Sequence, residues 1–209
     1  MKNIFFIRHT QSEANLKNIL ASQLNFPLTE NGKKHAFEIG SHLKKVESID
    51  RIISSPLIRA HQTACLIAKS FDLKVEIDRR LIEQNIGIFS GMTYEEIDKR
   101  KDYMHDRSQR WNWIPKDGES YCMISERLSS FFKSIDFIKG TNILFVTHAV
   151  TMRLIRAHLE KTLPNYTHKL AENGEVWKIN WIDSISEHKV NTIFIKQSSK
   201  VKHRSIGEL

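Results

Sequence analysis

The chain has 209 residues, 40% hydrophobic and 27% charged, with a net charge of +8. That length suits one domain of about 100–200 residues, and the composition supports a packed core, which excludes a disordered, collagen-like or disulfide-dense protein. The positive balance predicts attraction to anions without choosing among phosphorylated metabolites, nucleic acid and acidic lipid.

Ile4-Phe5-Phe6-Ile7 is an unbroken apolar run and predicts a strand buried on both faces. It is too short for a secretory signal, which needs about 7–15 apolar residues. No stretch approaches the roughly 20 apolar residues of a membrane span, so a cytoplasmic protein with no membrane partner is expected. Thr10-x-x-Glu13 reads as a capping box for a helix starting near Ser12. A loop follows from Ser22 to Leu28. Thr29 then caps a helix carrying Ala36, Ile39, Leu43 and Val46 at helical spacing.

Arg51 to Ser54 predicts a second strand. Ser55-Pro56 opens a helix running to about Ser70, with proline at its first position. Cys65, among apolar helical residues, reads as a small core filler. Cys65 and Cys122 are far apart in sequence and indicate neither a metal pair nor a disulfide framework. Lys74 to Ile77 is a strand, and Thr93-x-x-Glu96 is another capping box. From Ser120 to about Ile138, apolar residues recur at helical period. Asn142 to Val146 is a buried strand followed by a helix from Ala149. Strands at Val176–Trp181 and Thr192–Ile195 close a single domain over 1–197, and 198–209 reads as a polar tail.

Strands alternating with helices predict an α/β fold, a three-layer α/β/α sandwich with a mainly parallel central sheet. Ligands of such sheets bind beyond the carboxyl ends of the strands. Arg8-His9, Ser54-Ser55 with Arg59, and Thr147-His148 all fall there, so three connections deliver two arginines and two histidines to one edge. Guanidinium forks and helix N-termini suit a phosphate monoester. A neutral imidazole can attack phosphorus, and a carboxyl group can protonate the departing alkoxide. Glu83, following Leu81-Ile82 and ahead of Gly87 and Gly91, is the candidate acid.

These residues stand in blocks that resemble the histidine phosphatase superfamily, in its phosphoglycerate mutase-like branch. The blocks are Arg8-His9-Thr10-Gln11-Ser12-Glu13 with Asn15, Leu28-Thr29 with Gly32, Ser54-Ser55-Pro56 through Arg59-Ala60 and Thr63-Ala64, Leu81-x-Glu83, Gly118-Glu119-Ser120, and Val146-Thr147-His148. The resemblance implies a phosphoglycerate mutase-like fold. It also implies that His9 is the phosphorylated nucleophile, that Arg8, Arg59 and His148 bind the phosphoryl oxygens with Asn15 assisting, and that Glu83 is the proton donor. It implies no metal and no cofactor. Ser12, Gln23 and Ala149 complete the candidate substrate-binding set. Thr10 and Ala149 replace the family's usual smaller or different residues and are expected to narrow the pocket.

A phosphatase acting on a small phosphorylated metabolite is the expected function. A cofactor-dependent mutase is the alternative, made weaker by the short interval from Met92 to Lys116. Lys99, Arg100, Lys101, Arg107 and Arg110 with Trp111 and Trp113 carry the contrasting reading of a non-catalytic binding module, although no nucleic-acid partner is expected. The Tyr103–Trp113 segment is expected to form a lid, and Gln23, Asn25 and Phe26 to lie near the substrate. The sequence leaves the oligomeric state open.

Overall fold

Alternation along the first strand lets one apolar run serve two cores. In the computed structural model, which describes residues 2–137 and 141–193, β1 (Asn3–Arg8) is buried from Ile4 onward. Successive side chains point to opposite faces of a sheet. Ile4 and Phe6 therefore join one apolar cluster, and Phe5 and Ile7 the other. β4 (Asn142–Thr147) repeats the arrangement with Ile143 and Phe145 against Leu144 and Val146.

Among the described residues the sheet has six strands, in the order β3 (Val75–Ile77), β2 (Arg51–Ser54), β4, β1, β5 (Val176–Asn180) and β6 (Asn191–Ile193). β1 and β4 run parallel with β2 and β3. β5 joins β1 antiparallel, and β6 joins β5 antiparallel. The sheet is thus mainly parallel, and both faces are covered. On one side α2 (Glu30–Val46) and α3 (Ile58–Ala68) contribute Ile39, Leu43, Ala60, Ala64 and Ile67. On the other, α5 (Tyr121–Lys133) and α6 (Ala149–Leu159) contribute Ile124, Leu128, Phe131, Met152 and Ile155. Each large side chain buried this way contributes about 1.5–3 kcal/mol.

Local chemistry moves several boundaries from their expected places. α1 (Glu13–Leu16) is one turn, capped by Ser12 and Asn15 rather than by Thr10 and Glu13. Thr10 is drawn elsewhere: its hydroxyl donates to the Gly32 carbonyl at 2.8 Å. The third helix begins at Ile58, because the Ser55 N–H still extends the sheet ladder to the Val146 carbonyl at 2.9 Å. α5 stops at Lys133, where the Ser134 N–H bonds back to the Phe131 carbonyl, although Ile135 and Phe137 still pack on the core. Ile138, Ile195 and the expected tail lie outside the described residues. α4 (Tyr94–Asp98) carries the Thr93–Glu96 capping box that its spacing predicts.

Candidate active site

The floor of the site is an extension of the sheet ladder. Arg8 pairs in register with Thr147, and Ser54 with Val146. One residue further on, the His9 N–H donates to the Thr147 carbonyl at 2.9 Å. Strand pairing therefore sets His9 beside His148, with ring centroids 5.2 Å apart. Both rings are buried, at 4% and 0% exposure.

A carbonyl can only accept, so the 2.7 Å contact between His9 Nδ1 and the Thr10 carbonyl assigns the proton to Nδ1 and leaves the Nε2 lone pair free. Burial, then the charges of Arg59 and Arg8, hold the His9 pKa well below its ordinary value, so the ring is neutral at neutral pH. His148 is held low by burial first and then by Arg59, His9 and Arg8. Its Nε2 lies 2.8 Å from Ser55 Oγ. That hydroxyl already accepts the Leu57 N–H, so its own proton is available to Nε2. The neutral ring then carries its proton on Nδ1, which is buried without a partner.

Two guanidiniums flank the histidines. Arg8 donates from Nη1 to the Ala171 carbonyl at 2.7 Å, while its Nε is buried with no partner. Arg59, in the first turn of α3, donates to the Leu24 carbonyl at 2.9 Å and the Ser22 carbonyl at 2.6 Å. Burial lowers its pKa to about 10, opposed by the charge of Glu83 and reinforced by Arg8.

Glu83 reaches the N-terminus of α6. Its carboxylate accepts from the Val150 N–H at 3.3 Å and the Thr151 N–H at 3.2 Å, while the Thr151 hydroxyl beside it donates to the Ile82 carbonyl at 2.8 Å. The Ala149 N–H, next to these, has no partner within its helix. The sequence predicts Glu83 in an apolar setting. The structure instead gives it a polar cradle, because the helix end must satisfy its own N–H groups. The loop is a tight turn as expected. Gly87 has φ +57°, and a Cβ there would stand 1.7 Å from the Lys116 carbonyl oxygen.

A cavity of about 140 Å³ opens over this floor and is lined by Arg8, His9, Arg59 and Glu83. His148 sits behind His9 rather than on the wall. Ser12, Asn15 and Ala149 line the cavity as expected. The Asn15 amide oxygen is taken by Ser12 and Asn173, so its N–H₂ remains for a ligand. Gln23 does not line the cavity: it turns inward and donates to the Glu83 carbonyl at 3.0 Å. Asn25 and Phe26 are likewise absent from the wall, where Ser22 stands in their place. Thr10, tied to Gly32, does not narrow the pocket.

The outer wall includes Tyr94, Tyr103, Arg107 and Arg110, so the expected lid segment does face the cavity. Its tryptophans do not. Trp111 packs on the apolar core and Trp113 packs on Phe89 and Tyr103. Nor do the basic residues share one face. Lys99 pairs with Glu95 and Arg100 with Asp102, while Arg107 and Arg110 turn to the cavity.

Sequence reasoning misses Thr151, whose N–H holds Glu83 and whose hydroxyl holds the neighbouring Ile82 carbonyl, and Asn173, whose side chain donates to the His9 carbonyl at 2.9 Å and to Asn15. Thr151 is in the first turn after His148, which is a usable signal. Asn173 lies in an irregular stretch more than 160 residues from His9 and offers none. Among the described residues no group of His, Cys, Asp and Glu is arranged to hold a metal, and no helix is long and apolar enough to cross a membrane.

A model of the histidine phosphatase superfamily (branch 1) matches residues 4–189. The chain is 33% identical over 159 residues to phosphoserine phosphatase 1 of Hydrogenobacter thermophilus, covering 73% of this chain and 74% of that protein. It is 32% identical over 167 residues to phosphoglycerate mutase-like protein 4 of Arabidopsis thaliana, covering 78% and 71%. The crystal structure of a putative α-ribazole-5′-P phosphatase from Escherichia coli superimposes with a TM-score of 0.79 at 22% identity, covering 96% of this chain and 99% of that one. That likeness shows the phosphoglycerate mutase-like fold.

Proposed function

Because the chain belongs to branch 1 of the histidine phosphatase superfamily, we propose that it hydrolyses a small phosphate monoester through a phosphohistidine on His9. One observation carries this reading: a buried, neutral His9 whose Nδ1–H is fixed on the Thr10 carbonyl, lining a cavity beside two guanidiniums.

In the first step His9 Nε2 attacks phosphorus and the P–O bond to the substrate breaks. Glu83, as the carboxylic acid, gives its proton to the leaving oxygen. Arg8 and Arg59 take the charge of the phosphoryl oxygens, with the Asn15 amide and the Ala149 N–H beside them, while His148, fully buried against His9 and off the cavity wall, holds the His9 ring in place. In the second step the Glu83 carboxylate takes a proton from water. The water oxygen bonds to phosphorus, the N–P bond breaks, and inorganic phosphate leaves with His9 neutral again. These groups supply the charge compensation, so the scheme includes no metal and no cofactor.

The test is phosphate release from sugar phosphates, nucleotides, phosphoserine and phosphoglycerates in EDTA. Release without a bisphosphorylated primer is expected. Transfer that needs such a primer and frees no phosphate would make the chain a mutase. Activity lost in EDTA and restored by a metal would overturn the metal-free scheme.

A further inference from the structure

From Ile82 to Ile86 the backbone that carries Glu83 is neither helix nor strand, so its carbonyls must find partners outside regular structure. Side chains supply them one after another. The Thr147 hydroxyl donates to the Leu81 carbonyl at 2.6 Å. The Thr151 hydroxyl and Arg127 Nη2 both donate to the Ile82 carbonyl at 2.8 Å. The Gln23 amide donates to the Glu83 carbonyl at 3.0 Å, and the Ser22 hydroxyl to the Gln84 carbonyl at 3.0 Å. The carbonyls ahead of Glu83 are thus held from α5, β4 and α6, whereas those of Glu83 and Gln84 are held from two adjacent residues of one turn.

That turn is closed by the Leu24 N–H on the Ala21 carbonyl at 2.9 Å. Ser22 has φ +50° there, a left-handed conformation that favours glycine. A serine at such a position is strained. Its buried hydroxyl offsets the strain by bonding the acid loop twice, because it also accepts the Ile86 N–H at 3.0 Å. The carbonyls of the same turn are taken by the phosphate clamp: those of Ser22 and Leu24 accept from Arg59 at 2.6 and 2.9 Å. Gln23 reaches the Glu83 carboxylate through a single peptide group. The carbonyl it holds and the Gln84 N–H belong to one planar unit, and that N–H donates to Glu83 Oε1 at 3.0 Å. Holding the carbonyl therefore fixes the direction of a donor to the carboxylate.

We propose that Gln23 and Ser22 are positioning residues for Glu83, so that one turn ties the acid that moves the proton to the arginine that holds the phosphate. This rests on the phosphatase reading. Glu83 remains the group that meets the substrate, and Gln23 and Ser22 act through it.

The test separates the proton transfer from the rest of the reaction. Rapid quenching measures the first turnover of 2-phenylethyl phosphate, whose alkoxide must be protonated, and of 4-nitrophenyl phosphate, whose leaving group needs no proton. Gln23→Met keeps the side-chain length and removes the donor. It should slow phenylethanol release by about tenfold to a hundredfold, and leave the nitrophenol burst rate within about twofold of the unaltered protein. Ser22→Gly keeps the backbone conformation and the Arg59 bonds, so the same selective loss should be smaller, about threefold to tenfold. It carries the reading alone if Gln23→Met loses its native circular dichroism spectrum. In a Glu83→Gln background, adding Gln23→Met should change phenylethanol release by less than about twofold. Equal slowing with both substrates, no slowing with either, or a full further loss in the Glu83→Gln background overturns the positioning role. If the unaltered protein releases neither phenylethanol nor nitrophenol, the phosphatase reading falls and the positioning role with it.

Discussion

The floor and the outer wall of the cavity are built differently. On the floor, backbone pairing places the chemistry: His9 and Ser55 hang from ladder bonds to Thr147 and Val146, and Glu83 is gripped by the first turn of α6. On the wall, side chains hold one another. Tyr103 is wedged between Phe89, Trp113 and His105 at centroid distances of 5.1, 5.3 and 5.2 Å. A backbone-positioned floor can be kept while the wall is changed, and this scaffold therefore separates the reaction from the choice of substrate.

The comparison is broken most sharply by changes in the floor. His9→Ala should lower kcat by about 10⁴-fold or more, with the circular dichroism spectrum unchanged; substantial remaining turnover would move the nucleophile elsewhere. Glu83→Gln should lower kcat by about 10²–10⁴-fold for alkyl phosphates. For 4-nitrophenyl phosphate, whose leaving group needs no proton, phosphoenzyme should still form and then persist, seen as a burst of nitrophenolate. Equal damage with both substrates and no burst would contradict the proton-donor role.

Changes in the wall should act on binding. Trp113→Ala removes the packing behind Tyr103 without touching the cavity. It should cost about 1–2 kcal/mol in unfolding and raise KM by about threefold to tenfold through lost pre-organisation, with kcat within about twofold. A fall in kcat comparable with that of Glu83→Gln would dissolve the distinction between floor and wall.

The floor also contributes a pH dependence of stability, which His148→Gln separates from that of the other buried histidines. His9 and His148 stay neutral in the fold while the unfolded chain protonates them below about pH 6.5. Their contribution is therefore present above pH 6.5 and lost as pH falls, by up to about 1.4 kcal/mol per pH unit for each histidine. Urea midpoints at pH 7.5 and 5 measure it, and His148→Gln should flatten the slope. Unchanged slopes in that variant would contradict the burial argument.

Much of the floor is legible in the sequence because strand ends are. An apolar run that stops at Arg8-His9, and another that stops at Thr147-His148, mark one edge before any coordinate is known. The layers of the sandwich follow from the same alternation. What resists reading is set by contacts distant in sequence. Thr10 loses its capping role to a bond with Gly32, Gln23 turns to brace the Glu83 carbonyl, and Asn173 reaches His9 from an irregular stretch. The tryptophans stay ambiguous in the sequence for a related reason. Aromatic residues near a cavity pack behind its wall as readily as on it, and only the packing of Trp113 on Phe89 and Tyr103 decides which.

The central claim is that His9 carries the phosphoryl group. Rapid quenching with a ³²P-labelled monoester, followed by acid and alkali treatment of the protein and peptide mapping, tests it directly. The account predicts label on the peptide containing His9, stable in alkali and lost in acid, and absent from His9→Ala. Label that survives acid as an ester, or that maps to another residue, would contradict it.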